Sequence, residues 1–384
     1  KELPATVFTG YDKMEDTGKV LAIVTEGELA GSLGQGAQGT LVLDQTPFYA
    51  ESGGQSWDTG VMRREGTLLQ VLAVRKTADG KFLHQVEALE GTVNVDDTLQ
   101  AHVDEDRRRA IMRAHSATHL LQKALRTVLG NHVEQAGSLV EPDRLRFDFT
   151  HFSAVTPEEL MEVEKQVNEE ILRDDVVNIS EMPIDEAKKL GAMALFGEKY
   201  GDRVRVVQMG DYSIELCGGT HVPNTARVGL LKIVSETSVA AGVRRIEAVT
   251  GMNVLHVLQQ KTALVSELQQ NFRGVKESEL PEKVSACIEQ IHSLEKEVAS
   301  LQAKIAASAS SDIAENAREV NGVKVVAVSV DGADANALRE MADKLRDKLH
   351  SAVVVLATKD GAKLQLCAGV TPDLVKKGLK AGEL

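Results

Sequence analysis

Two separated ligand pairs constrain this chain more than any other feature. His115-x-x-x-His119 lies in RAHSATHLLQKAL, and Cys217-x-x-x-His221 lies in ELCGGTHV. The first stretch is strongly helical, so a spacing of four sets both imidazoles on one face, one turn apart. In the second, Gly218 and Gly219 free the backbone, which lets a thiolate and an imidazole turn towards one point. Three imidazoles and a thiolate suit Zn2+, whose nitrogen and sulfur ligands form a tetrahedron. Either pair alone is commonplace in helices and loops; their combination carries the weight. Whatever fold forms must therefore bring a helix to a distant glycine loop.

The bulk numbers set wide bounds. With 384 residues, 43% of them hydrophobic, the chain can bury several cores. Cysteines at 217, 287 and 367 are too few and too scattered for a disulfide framework, which fits a reducing cytosol. No segment has the length and apolarity of a signal peptide or membrane span, so a cytoplasmic location without a membrane partner is expected. The sequence begins at Lys1 without Met and reads as a piece of something longer. A net charge of −13 argues against a broad nonspecific nucleic-acid coat but permits local basic patches.

In order along the chain, the pattern is α+β. Residues 1–104 hold short apolar or alternating runs such as LAIVTEG and GTLLQVLAVRKT, punctuated by Gly and Asp, the pattern of a small β-barrel or sandwich, of which the barrel is the expectation. Gly34-x-Gly36-x-x-Gly39 has dinucleotide-site spacing but opens into Thr40-Leu41-Val42-Leu43, so a turn between strands is expected instead. FYAESGGQSWDTG, at 48–60, is more polar and aromatic than a turn needs. Residues 105–251 read as an α+β zinc domain. Its first helix runs from Asp104 to Gly130, led by acids and ended by Gly. Thr156-Pro157-Glu158-Glu159 is a capping box, and a further short helix is expected over IDEAKKLGAMALF. Residues 252–320 predict an antiparallel helical hairpin. Its second helix places Val284, Cys287, Ile291, Leu294, Val298, Leu301 and Ile305 on a heptad seam. Residues 321–384 read as a truncated α/β globule of β-α-β-β order, ending in the helix DLVKKGLKAGEL. From Gly322 onward ten Lys+Arg stand against eight Asp+Glu, so this end repels RNA least.

A closed four-ligand shell leaves no open metal position, so catalysis would need a fifth position or a departing ligand. The Gly218 and Gly219 N–H groups could stabilise an oxyanion or could only make a turn. Cys217 fits a metal thiolate better than a free nucleophile.

HSATH, LCGGTH and GVRRIEAVTG, preceded by the FYAESGGQ barrel and followed by the helical hairpin, resemble the C-terminal part of bacterial-type alanyl-tRNA synthetases. The zinc pairs alone are also similar to the threonyl-tRNA synthetase editing domain and to free-standing alanyl-tRNA deacylases. The order of barrel, hairpin and globule favours the first family. The resemblance implies hydrolysis of serine or glycine wrongly esterified to alanine tRNA. It places zinc on His115, His119, Cys217 and His221, and the editing pocket on Gln135 with Thr118. It sets Arg244 and Arg245 near the site. It implies that the hairpin and globule form a homodimer and grip the outer corner of the tRNA. The family's ATP- and alanine-activating core is expected before Lys1, and its glycine-rich ending after Leu384.

A second site makes physical sense in such a family. A pocket shaped for alanine cannot exclude glycine by size and rejects an added hydroxyl only about a hundredfold. A polar group at Thr118 or Gln135, waiting for the serine hydroxyl, would discriminate further. For RNA contact the basic groups are Arg107, Arg108, Arg109 and Arg113, then Arg244 and Arg245, with Lys344, Arg346, Lys348, Lys376 and Lys377 behind them. Two rivals stand beside the deacylase: a noncatalytic tRNA-binding and dimerisation fragment with structural zinc, and a zinc hydrolase of small esters or peptides. The second lacks an HExxH motif or a separate general-base Glu in either ligand stretch.

Overall fold

The computed structural model describes residues 3–193, 201–331, 333–360 and 363–384; for 306–311, 360 and 363 it describes the backbone alone. The chain divides into two compact units, Lys1–Ala263 and Leu264–Leu384.

The first unit opens with six strands: β1 (Glu15–Thr25), β2 (Gln38–Leu43), β3 (Gly60–Arg64), β4 (Thr67–Lys76), β5 (Phe82–Glu90) and β6 (Thr98–Val103). They pair antiparallel in the order β6-β3-β4-β5-β2-β1, and β6 pairs again with β1, which closes a six-stranded barrel. Closure leaves no exposed edge in the ring. Alternate residues of β4 and β5 point inwards, and Ile23, Leu41, Leu69, Val71, Val86 and Leu99 fill the interior. Residues 35–37 connect the short strand Ser32–Gly34 to β2, so Gly34, Gly36 and Gly39 straddle a turn between strands, as expected.

Helix α1 (Glu105–Leu129) follows directly. The Asp104 side chain accepts from the Arg107 N–H at its start, and Gly130, at φ 118°, ends it. Ile111, Ala114, Leu121 and Leu125 are buried, as their spacing requires. They share one core with a sheet of β7 (Gln135–Val140) and β8 (Leu145–Thr150) and with α2 (Pro157–Leu172), which packs against α1. The capping box forms, with Thr156 and Glu159 bonding each other's backbone. A smaller sheet contains β9 (Val177–Pro183), β10 (Arg203–Met209) and β11 (Ser213–Leu216), in that order. Helix α3 (Ile184–Lys189) joins β9 to β10 and is shorter than expected: Met193 already bridges to Glu215, and 194–196 lie outside the described residues. Strands β12 (Leu231–Ala240) and β13 (Val243–Thr250) complete the first sheet in the order β7-β8-β13-β12.

Both helices of the expected hairpin form: α4 (Met252–Asn271), which crosses the boundary between units, and α5 (Leu280–Glu315). The α5 seam is open: Ile291 is 54% exposed, Leu294 51% and Val298 53%. Beyond it lie β14 (Val323–Ser329), α6 (Ala335–Leu349), β15 (Ala352–Asp360) and β16 (Lys363–Val370). Strands β14 and β15 are parallel, as a helical crossover requires, and β16 returns antiparallel. An added strand, Arg318–Val320, pairs with β14. The expected terminal helix is a correction. Only α7 (Pro372–Lys376) forms; Gly378, at φ 99°, follows it, and one 3₁₀ turn at Ala381–Glu383 comes later.

No helix among the described residues is long and apolar enough to cross a membrane.

Candidate metal centre and adjoining pocket

The two ligand pairs meet. Helix α1 presents His115 and His119, and the loop after β11 presents Cys217 and His221; their ligand atoms all lie within 4.8 Å of one another. Cys217 Sγ is 3.3 Å from Nε2 of both His115 and His221. An ideal tetrahedral zinc site has an N-to-S edge of about 3.5 Å, from its usual bond lengths.

A second layer of contacts aims the imidazoles. His115 Nδ1–H donates to Gln55 Oε1 at 2.7 Å, and His221 Nδ1 meets Ser116 Oγ at 3.1 Å. Nδ1 of His119 donates to Glu215, a buried carboxylate. With each Nδ1 occupied, all three rings turn Nε2 towards the cysteine. His119 Nε2 is buried without a hydrogen-bond partner among the described residues. An orphaned acceptor beside two imidazoles and a thiol is what a missing cation would satisfy. The donor set fits Zn2+.

Electrostatics agree. Burial pushes the Cys217 thiol up, but the His115, His221 and His119 rings outweigh it and hold it well below its usual value, favouring thiolate. Burial pulls His221 down to about 3, so it is neutral and able to ligate. At His119 burial acts downward too, yet Glu215 and Cys217 override it and raise the ring well above its ordinary value.

The barrel contributes as much as the ligand motifs. Gln55, fully buried in the 48–60 loop, accepts from the Thr220 N–H as well as from His115, and donates to Thr220 Oγ1. Tyr11 donates to the Gly218 carbonyl at 2.6 Å. Arg205 lies over the Tyr11 ring and donates to the carbonyls of Cys217 and Gly219. None of these was singled out from sequence. The unusual composition of FYAESGGQSWDTG was the available signal for Gln55, and Glu215 sits two residues before Cys217.

The glycines act differently from expectation. A Cβ on Gly219 would lie 2.0 Å from His115 Cε1, so close approach, not backbone rotation, demands glycine there. Its N–H points to Cys217 Sγ at 3.4 Å, which corrects its reading as an oxyanion donor. A Cβ on Gly218 would stand in ordinary contact with Tyr11 Oη, at 4.0 Å.

A cavity of about 570 Å3 adjoins the cluster and is lined by His115, His119 and Cys217 together with Thr118, Gln135 and Arg203. Thr118 Oγ1 donates to the Ala114 carbonyl at 2.8 Å, leaving its lone pairs for the cavity.

The arginines divide. Arg108 is a correction: it is 1% exposed, ion-paired to fully buried Asp58, and donates to the carbonyls of Gly10 and Pro47. It clamps the 48–60 loop to α1 and cannot reach RNA. Arg107 donates to the Trp57 carbonyl, Arg244 pairs with Glu236 and Arg245 with Asp148. Arg109 is exposed and pairs with Glu105.

Comparison with known proteins places the chain. Residues 1–107 match the family described as tRNA synthetases class II (A), residues 204–247 the threonyl and alanyl tRNA synthetase second additional domain, and residues 298–384 the DHHA1 domain. The first two matches set the chain among the aminoacyl-tRNA synthetases. Over 379 residues the chain is 51% identical to the alanine–tRNA ligase of Acetivibrio thermocellus, covering 99% of this chain and 43% of that protein. It is 50% identical to that of Methylobacillus flagellatus over 99% of this chain and 43% of the relative. For Geobacillus kaustophilus the figures are 49%, 98% and 42%. The chain belongs to the alanine–tRNA ligase family, and spans less than half the length of these relatives.

Proposed function

We propose that this chain is an editing module that hydrolyses the ester joining serine or glycine to alanine tRNA. The observation that carries the reading is the cavity in which Thr118 and Gln135 share walls with three of the four metal-type ligands. Thr118 has spent its proton on Ala114 and can only accept, so it suits the donating hydroxyl of a bound serine. Bound alanine would leave that acceptor unpaired, at about 1–3 kcal/mol. Gln135 faces the same cavity with both an amide oxygen and an amide nitrogen, able to hold the aminoacyl group from another side. Arg203 and Lys76, also on its wall, supply positive charge towards a phosphate-bearing tRNA end. A Zn2+ held by His115, His119, Cys217 and His221 would supply a fixed positive charge and tie α1 to the glycine loop.

The wider reading includes a division into a barrel at 1–104, an editing domain at 105–251, a hairpin at 252–320 and a tRNA-gripping globule at 321–384. It includes a homodimer through the C-terminal part, which the open α5 seam supports. The completeness of the ligand shell favours a second reading, in which zinc is structural and the chain only binds tRNA. Hydrolysis of Ser-, Gly- and Ala-charged alanine tRNA, with metal content measured on the same sample, separates them. We expect turnover of the Ser and Gly esters and loss of both metal and turnover in Cys217→Ala. Intact metal with no turnover would sink the deacylase.

A further inference from the structure

A second cavity of about 570 Å3 lies against α1 and is lined by Arg109, Arg113 and Arg227, with Met14, Met112 and Val222 completing most of its wall. Its composition is unusual for a chain of net charge −13. Arg109 and Arg113 stand four apart on one helix face, an arrangement that repels by a few tenths of a kcal/mol on its own. Arg227 comes from the 3₁₀ turn Thr225–Val228, a few residues after His221. Among the described residues Arg113 and Arg227 make no side-chain hydrogen bond or ion pair. Arg109 has Glu105, and Asp106 is the carboxylate whose field reaches Arg113. Arg113 is half-buried, and its stem passes where a Cβ on Gly251 would stand, 2.9 Å from Nε. The backbone has made room for a guanidinium that, among the described residues, forms no direct ion pair.

We propose that this cavity binds a phosphate of an RNA backbone, with Arg113 and Arg227 as its principal donors. Guanidinium groups match phosphate oxygens two at a time. The site is separate from the ester-binding pocket: Arg113 lies two positions from His115, about 200° around the helix. It rests on the editing reading only for the identity of the RNA. Helix α1 then serves two ends of one ligand, ester on one face and phosphate on the other.

The test is binding of uncharged alanine tRNA to the full chain across a salt series, for wild type, Arg113→Gln, Arg227→Gln and Arg113→Lys. Metal content and melting temperature are recorded for each protein. We expect each Gln variant to bind about tenfold more weakly and to lower the slope of log affinity against log salt by about 1. Arg113→Lys should keep the slope, because the charge survives. Wild-type binding and Ser-tRNA hydrolysis, with Gln variants indistinguishable from wild type in slope, would overturn the site and leave the editing reading standing. Wild type that binds no tRNA would overturn both. Stabilisation by inorganic phosphate that the Gln variants lose, with an unchanged RNA slope, would overturn the RNA assignment in favour of a free anion.

Discussion

The first unit hides polar groups, whereas the long helix of the second displays apolar ones. Arg108, Asp58, Gln55, His84 and Glu215 are buried around the barrel and α1, each in a specific contact. On α5, Ile291, Leu294 and Val298 repeat at heptad spacing and are about half exposed. Periodicity alone would rank α5 as the better-packed helix. What distinguishes the two is the side chains that other segments supply: the 48–60 loop and the glycine loop both cross α1.

The largest effect should come from breaking a hidden charge pair. Asp58→Ala strands Arg108 in a fully buried site, and we expect a loss of about 3–5 kcal/mol in denaturant unfolding. A loss below about 1 kcal/mol would show that the 48–60 loop yields and that the clamp is incidental.

Next is acid. Burial pushes His84 down to about 4 from 6.5, and its ring is held neutral between Thr46 and the Leu41 carbonyl. A depressed folded value means its contribution is full above the unfolded value near 6.5 and is lost as pH falls towards 4. The contribution is on the order of 3 kcal/mol. His84→Gln should flatten that part of the stability–pH curve; an unchanged curve would show that other groups carry the acid sensitivity.

Gly219→Ala should cost about 1–3 kcal/mol by overpacking against His115. The sharper readout is metal: the added methyl should make zinc easier to strip with a chelator, and Cys217→Ala should remove it altogether. Unchanged zinc retention would mean that the loop shifts to make room.

The smallest effect in a single chain should come from the seam. Ile291→Asp and Leu294→Asp should change monomer stability by less than about 0.5 kcal/mol, as surface substitutions do. If the wild type sediments as a dimer, the same changes should split it. Strong unfolding of a monomer would instead show that the seam packs within the chain.

Those contrasts explain what could be read in advance. The ligand spacing, the strand-rich first region, the α1 caps, the Thr156 capping box and the β-α-β-β order follow from local rules, because spacing, turn residues and caps act within a few positions; closure of the barrel does not, since it pairs Lys19 with Thr98. Arg108 was misassigned because a run of three arginines looks solvated, and its partner Asp58 is fixed only by tertiary folding. Gln55 was missed for the same reason: its bonds to His115 and Thr220 span 60 and 165 positions. The oxyanion reading of Gly219 failed because its N–H points to Cys217 Sγ, a contact set by how the loop folds and not by the ligand spacing.

That span of 165 positions has a consequence for synthesis. The barrel emerges from the ribosome first, α1 second and the glycine loop last, so Gln55 waits for Thr220 through most of the unit's translation. A cation that needs all four side chains could therefore be held only once His221 has been made and the glycine loop has closed on α1.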